Sequence, residues 1–232
     1  DEHRRTLGTD EFDNYIDWIH VNAVIEDPSD NTIIISGRFQ GVVKLDYNNR
    51  VKWILNCQRG WDTNGRNEDL TANLLHPVDQ NGQVISDPDI LEGNENHPDF
   101  EWPWYQHAPF LMDNGNLFVF DNGERRNYNF NAQYSRAVEY NIDHDNLRVQ
   151  QVWQYGKERG TETYSRIVSD VDYLPQKNNI LFCPGSRVNN PGGFGGKIVE
   201  VDYTTKNVVF EMQIIANDIV FHRAERMPLY PD

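Results

Sequence analysis

The sequence predicts an all-β fold, a partial β-propeller domain over residues 1–232 with about three four-stranded blades, and three observations predict it. Short runs rich in Val, Ile, Leu, Phe and Tyr are separated by clusters of Asp, Asn, Pro, Ser and Gly, which are strand and turn signals. These runs return in the same order three times, and a repeated unit of four strands is the sequence mark of propeller blades stacked around a channel. The third runs also match in pattern: Val43-Lys44-Leu45-Asp46-Tyr47, Val138-Glu139-Tyr140-Asn141-Ile142-Asp143 and Ile198-Val199-Glu200-Val201-Asp202-Tyr203.

In chain order, residues 1–16 are polar, carry charges of both signs and hold no period, so they read as a leading segment. The first blade, about 17–56, takes its strands from Trp18-Ile19-His20-Val21-Asn22-Ala23-Val24, Thr32-Ile33-Ile34-Ile35-Ser36, Val42-Val43-Lys44-Leu45-Asp46-Tyr47 and Val51-Lys52-Trp53-Ile54-Leu55. Residues 56–103 interrupt the repeat. A loop that long inside a compact domain is expected to be a lid, a pocket wall or disordered. The second blade spans about 104–155 and the third about 164–214, with residues 217–226 as the start of a further strand. The Gly-rich run within 184–196 reads as a turn and not as a phosphate cradle, because no helix follows it. Propellers close with about four to eight blades. Three blades therefore predict a piece of a larger ring, its remaining blades supplied by the same chain or by another.

Composition excludes several classes of function. The net charge is −15, from 36 Asp and Glu against 21 Lys and Arg, which opposes binding to nucleic acid. No apolar run approaches the roughly 20 residues of a membrane-spanning helix, so no membrane partner is expected. A basic segment followed by an apolar one does not open the chain, so a signal peptide is absent or already removed. Cys57 and Cys183 read as two buried small hydrophobes, with one long-range disulfide left open.

The chemistry concentrates around His107, which follows Trp102, Trp104 and Tyr105 and heads a short strand. Imidazole titrates near neutrality, and burial readily moves its pKa. Aligning the blades brings His20, His107 and Asp170 to corresponding places at the heads of the first strands, which line a propeller's channel. Arg38 closes the second strand of the first blade and faces the same space. Two imidazoles and a guanidinium in an otherwise acidic protein make an anion site, since Arg offers a planar fork to tetrahedral oxyanions. Trp102, Trp104 and Tyr105 are candidates to stack on an aromatic ligand or to pack between blades. Asp170 is placed either to orient a histidine or to cap a turn. His76, His97, His144 and His222 read as surface or structural residues, and Arg125, Arg126 and Arg159 as solvated ones. A metal site on His20 and His107 lacks a third ligand at short spacing, so no metal or cofactor is expected.

Several motifs together resemble the bacterial arylsulfate sulfotransferases: Asp17-Trp18-Ile19-His20-Val21-Asn22, Arg38 eighteen residues after His20, Gln106-His107, Phe120-Asp121-Asn122-Gly123, Tyr134-Ser135-Arg136 and Tyr155-Gly156-Lys157-Glu158-Arg159-Gly160. The resemblance covers nearly the whole chain and corresponds to the C-terminal part of that family. It implies a six-bladed periplasmic enzyme that moves a sulfuryl group from a phenolic sulfate ester to a phenol, by a ping-pong mechanism through a sulfohistidine. His107 matches the histidine that becomes sulfated, His20 and Arg38 match residues that hold the sulfuryl oxygens, and Asn22 stands beside them. Trp104 and Tyr105 are then the candidate aryl wall. Two family features have no counterpart here: a histidine of the N-terminal blades, and a disulfide just ahead of the catalytic histidine. The implied partners are the phenolic donor, the phenol acceptor and the remaining blades, and self-association into a homodimer stays open. The alternative is a non-catalytic propeller module for binding or scaffolding.

Overall fold

In the computed structural model, which describes residues 19–131 and 133–227, the β-branched runs form three antiparallel sheets in sequence order. The expected leading segment, with Asp17 and Trp18, lies outside the described residues. The first sheet pairs β1 (Val21–Asp27), β2 (Thr32–Gly37), β3 (Gly41–Asp46) and β4 (Val51–Leu55) in chain order. Gly41 can head β3 because its φ of +75° suits glycine, and an added Cβ would lie 2.4 Å from the Leu55 carbonyl oxygen.

Residues 56–103 form neither a lid nor a disordered loop. They carry β5 (His76–Val78) and one turn of helix, α1 (Pro88–Leu91), capped by the Asp87 carboxylate. Leu75, Ile85, Ile90 and Phe100 bury their side chains in one core with Ile34, Val42, Trp53 and Leu55 of the first sheet. Contacts of this kind, and not a regular period, hold the segment in place.

The second sheet consists of β6 (His107–Leu111), β7 (Leu117–Asp121), β8 (Arg136–Asp143) and β9 (Arg148–Tyr155), with β5 added in parallel outside β9. The third contains β10 (Asp170–Leu174), β11 (Asn179–Cys183), β12 (Val188–Asn190), β13 (Gly193–Asp202) and β14 (Val208–Ile215); β12 and β14 both pair with β13. Residues 217–226, expected to begin a strand, stay irregular. A bridge from Val220 to Ser186, a bond from the Phe221 N–H to the Gly185 carbonyl and an ion pair from Arg226 to Glu200 fasten them, and a strand needs a ladder of backbone bonds. Cys57 and Cys183 are both buried and free.

Sheets two and three pack through aromatic rings. Phe120 stacks on Phe182 at 5.0 Å between centroids, and Trp153 stacks on Tyr203 at 5.5 Å while its indole N–H bonds the Tyr203 carbonyl. Each such ring pair adds roughly 0.5–1.5 kcal/mol beyond its buried area.

The matched third strands share a buried charge. Lys44, Glu139 and Glu200 are at most 1% exposed. Lys44 pairs with Asp27 at 2.7 Å and with Asp30 at 2.8 Å. Glu139 and Glu200 each accept a 2.6 Å bond, from the Asn116 and Asn179 amides. In every sheet the charge ties the third strand to the turn that opens the second.

A larger buried network fastens the segment ahead of His107 to the second sheet. One oxygen of Asp121, at the end of β7, accepts from Arg136 Nε at 2.7 Å and Arg126 Nη2 at 2.8 Å; the other accepts from the Trp104 N–H at 2.8 Å. Arg136 Nη2 donates to the Glu101 carbonyl at 3.0 Å. Burial alone would raise the Glu101 carboxyl, but Arg136, Arg126 and Lys157 override it and hold the pKa at about 2. Arg126, expected in solvent, is 1% exposed and belongs to this cluster. Arg159 likewise pairs with Glu211 at 2.8 Å. Breaking a buried ion network at one member strands the others. Arg136→Ala is therefore expected to cost about 3–5 kcal/mol in urea unfolding, and a loss below about 1 kcal/mol would contradict this account.

Candidate active site

His107 heads β6 and its side chain is 7% exposed. Among the residues in left-handed backbone conformation near it are Tyr105 at φ 58°, Val168 at φ 53° and His20 at φ 49°. Such conformations are uncommon for non-glycine residues and costly for a β-branched one. Each directs its carbonyl at a site residue: Tyr105 toward His107 Nδ1 at 3.1 Å, Val168 toward the Asn122 amide at 3.0 Å, and His20 toward the Arg38 N–H at 3.0 Å.

The protonation of His107 follows from these bonds. Asn122 is fully buried just past β7, and its NH2 donates to the carbonyls of Ser165 at 2.8 Å and Val168 at 3.0 Å. With both amide donors aimed at carbonyls, Oδ1 must face the imidazole, where it lies 2.7 Å from Nδ1. Nδ1 meets two acceptors, Asn122 Oδ1 and the Tyr105 carbonyl, so it carries the proton. The lone pair then resides on Nε2. Burial lowers the His107 pKa to about 4; the bonds to Asn122 and Tyr105 pull it up, and the charges of Arg38 and His20 push it down. At neutral pH the ring is uncharged, with Nε2 as its basic nitrogen.

Arg38, just beyond β2, places Nη2 2.6 Å from Glu124 Oε2, and its guanidinium lies 5.1 Å from the Tyr105 ring and 5.2 Å from the Phe39 ring. His20 is exposed and meets Phe39 edge to face at 5.8 Å. Asn22 donates to the Gln106 carbonyl at 2.8 Å, and Gln106 in turn donates to the Gly37 carbonyl at 3.1 Å. The first sheet is thereby fastened to the residue preceding His107.

His20, Arg38, Tyr105 and His107 thus come together, with Asn22 one residue removed. Trp104 borders Arg38 and Tyr105 but faces the core, 4% exposed and edge to face with Tyr128 at 5.1 Å. Trp102 is buried too, its indole N–H bonded to the Ile90 carbonyl at 2.8 Å. Asp170, at the head of β10, lines a cavity of about 480 Å³ with Ala108, Pro109, Asp172, Arg223 and Glu225. Burial, with Asp172 adding to it, raises its carboxyl to about 7. Among the described residues no group of three or more His, Cys, Asp and Glu side chains is placed to hold a metal ion, and no helix is long and apolar enough to cross a membrane.

The sequence model of the arylsulfotransferase (ASST) family matches residues 2–222. The chain belongs to this family. It is 40% identical over 208 residues to the arylsulfate sulfotransferase AssT of Lelliottia amnigena, and 40% identical over 212 residues to the AssT of Escherichia coli O6:H1 (strain CFT073). Each match covers 86% of this chain and 33% of the relative, so the chain spans about a third of their length. A solved structure, the Dos1 propeller, is similar over 85% of this chain and 36% of its own, at 10% identity and a TM-score of 0.39.

Sequence reasoning about this arylsulfotransferase chain missed Asn122 and Glu124. Asn122 stood in the Phe120-Asp121-Asn122-Gly123 run with no role assigned to it; its signal was a position equivalent to the end of the other second strands. Glu124 gave none, because its partner Arg38 lies 86 residues away.

Proposed function

We propose that the protein carrying this chain is an arylsulfate sulfotransferase that works by a ping-pong mechanism through sulfated His107. In this reading the three sheets are blades of a six-bladed periplasmic ring, completed by the rest of the polypeptide or by another chain. The observation that carries the proposal is the 2.7 Å bond between Asn122 and His107 Nδ1, which leaves a buried, neutral imidazole with its lone pair on Nε2.

In the first half-reaction the Nε2 lone pair attacks sulfur in line, an N–S bond forms, and the S–O(aryl) bond breaks with its electron pair on the departing phenolate. The transition state is loose, so positioning and charge stabilisation dominate, as in phosphoryl transfer. Arg38 and His20 hold the sulfuryl oxygens. Positive charge grows on the ring as Nε2 bonds to sulfur, and the carbonyl oxygens of Asn122 and Tyr105 stabilise it through the Nδ1 proton. Neither is a carboxylate, so neither keeps the resting ring protonated. In the second half-reaction the acceptor phenol oxygen attacks sulfur and gives up its proton to solvent, and the N–S bond breaks to return the pair to Nε2. Asn22 acts through the Gln106 carbonyl, Tyr105 through the Arg38 guanidinium, and Trp104 through the packing beneath the loop.

The test is to mix the full-length protein with 4-nitrophenyl sulfate without acceptor, then measure nitrophenolate and protein mass. A stoichiometric burst with a gain of one sulfuryl group is expected. A full-length folded protein that releases no nitrophenolate, with or without phenol, would favour a binding or scaffold role.

A further inference from the structure

A second cavity, of about 550 Å³, has Tyr164, Arg166, Ile167, Arg187, Asn189 and Phe194 among its walls. That volume falls within the usual range of small-molecule pockets, about 300–1,000 Å³. We infer that this cavity takes the aryl group of a phenolic substrate that carries a second anionic substituent, with Arg187 and Arg166 as the groups that recognise the anion. The inference rests on the sulfotransferase reading and adds a substrate class to it.

Three observations argue for it. The first is that residues of its wall are linked to the His107 centre. Ser165, whose carbonyl holds the Asn122 amide, is buried and stands in the chain between the wall residues Tyr164 and Arg166. Arg166 reaches Glu124 at 3.7 Å, and Glu124 holds Arg38 at 2.6 Å. The Tyr164 hydroxyl, raised by burial to about 12, feels the charges of Glu124, Arg166 and Arg38 together.

The second observation is charge. On a chain of net charge −15, the residues lining this cavity include two arginines and no carboxylate. Arg187 has no ion pair among the described residues. It stands in left-handed conformation at φ 51°, with its guanidinium 5.5 Å from the Phe194 ring. A guanidinium flanking an exposed ring offers a carboxylate a planar fork while the ring covers an aryl face.

The third is the apolar part of the wall. Phe194 is 44% exposed, and with Ile167 and the Tyr164 ring it makes a slot for a flat ring. An apolar slot next to two guanidinium groups suits an aryl anion better than a neutral or cationic phenol.

The experiment uses the full-length protein with 4-nitrophenyl sulfate as donor. Two acceptors are compared, 4-hydroxyphenylacetate and its neutral isostere 4-hydroxyphenylacetamide. The acetate is expected to be preferred by at least about tenfold in kcat/KM, the usual yield of one charge-assisted contact. In Arg187→Gln that ratio is expected to fall toward one. A merely structural role for Arg187 would change both acceptors alike and keep the ratio, and that result overturns the subsite. Equal use of both acceptors by the unaltered protein overturns it too. Should no acceptor be sulfated at all, the catalytic reading fails, and calorimetric titration with 4-hydroxyphenylacetate decides the subsite alone. Binding weakened about tenfold or more by Arg187→Gln then supports it, and absence of binding overturns it.

Discussion

His107→Ala is expected to abolish sulfuryl uptake from 4-nitrophenyl sulfate and to lower turnover by at least about 10³-fold, the scale on which removing a covalent nucleophile acts. No second nitrogen in the described chain shares its arrangement. Asn122 and the Tyr105 carbonyl together fix one ring tautomer, and burial keeps that ring neutral at a pKa of about 4. The variant leaves those two acceptors facing a small void, so its folding needs a check by thermal unfolding alongside the assay. Persistence of the sulfuryl mass gain in folded His107→Ala would remove His107 as the nucleophile. A second comparison separates roles: Arg38→Gln is expected to keep a mass gain that builds up slowly, because Arg38 stabilises the transfer without forming a bond to sulfur.

Asn122→Asp should shift the pH dependence more than any other single change. In the unaltered protein the acidic limb of kcat/KM is expected near the His107 pKa of about 4, since protonation of Nε2 removes the attacking pair. A carboxylate 2.7 Å from Nδ1 favours the imidazolium and raises the pKa by roughly 1–3 units. The limb then moves toward neutrality, and activity at pH 5 falls by about twofold for a rise of one unit, about tenfold for two and nearly a hundredfold for three. Stability responds through the same group. The folded-state pKa lies below the ordinary value of 6.5, so between the two the unfolded chain binds a proton that the folded one refuses. The His107 contribution is complete above pH 6.5 and is lost as pH falls through about 4. In Asn122→Asp this loss is expected to shrink or vanish, which nuclear magnetic resonance titration of the imidazole together with unfolding at pH 5 and 7 would reveal. An unchanged acidic limb would remove Asn122 as the group that sets the tautomer.

The strands were legible because period and turn chemistry are local. Ile33, Ile34 and Ile35 between Asn31 and Gly37 announce a strand whatever surrounds them. The blade alignment also carried distant information: it set Lys44, Glu139 and Glu200 at one height, and all three prove to be buried charges that clamp a turn. It set His20, Arg38 and His107 around one space for the same reason. What stayed hidden depends on contacts far along the chain. Asn122 owes its orientation to carbonyls 43 and 46 residues later. Arg126, beside Arg125, resembles a solvated pair until the turn at Gly123 brings it over Asp121 and Glu101. Trp104 was drawn toward the ligand by its closeness in sequence to His107, whereas the left-handed Tyr105 between them turns the indole into the core.

The amide of Asn122 is held from the linker that leads into the third sheet, while His107 belongs to the second. The ring tautomer is therefore set in part by assembly. Until residues 163–169 have closed over the second sheet, the Asn122 amide lacks the carbonyls that orient it, and only the Tyr105 carbonyl is left to select between the ring nitrogens. In the proposed mechanism, a newly made chain then holds its attacking nitrogen in full readiness only once the neighbouring sheet has docked.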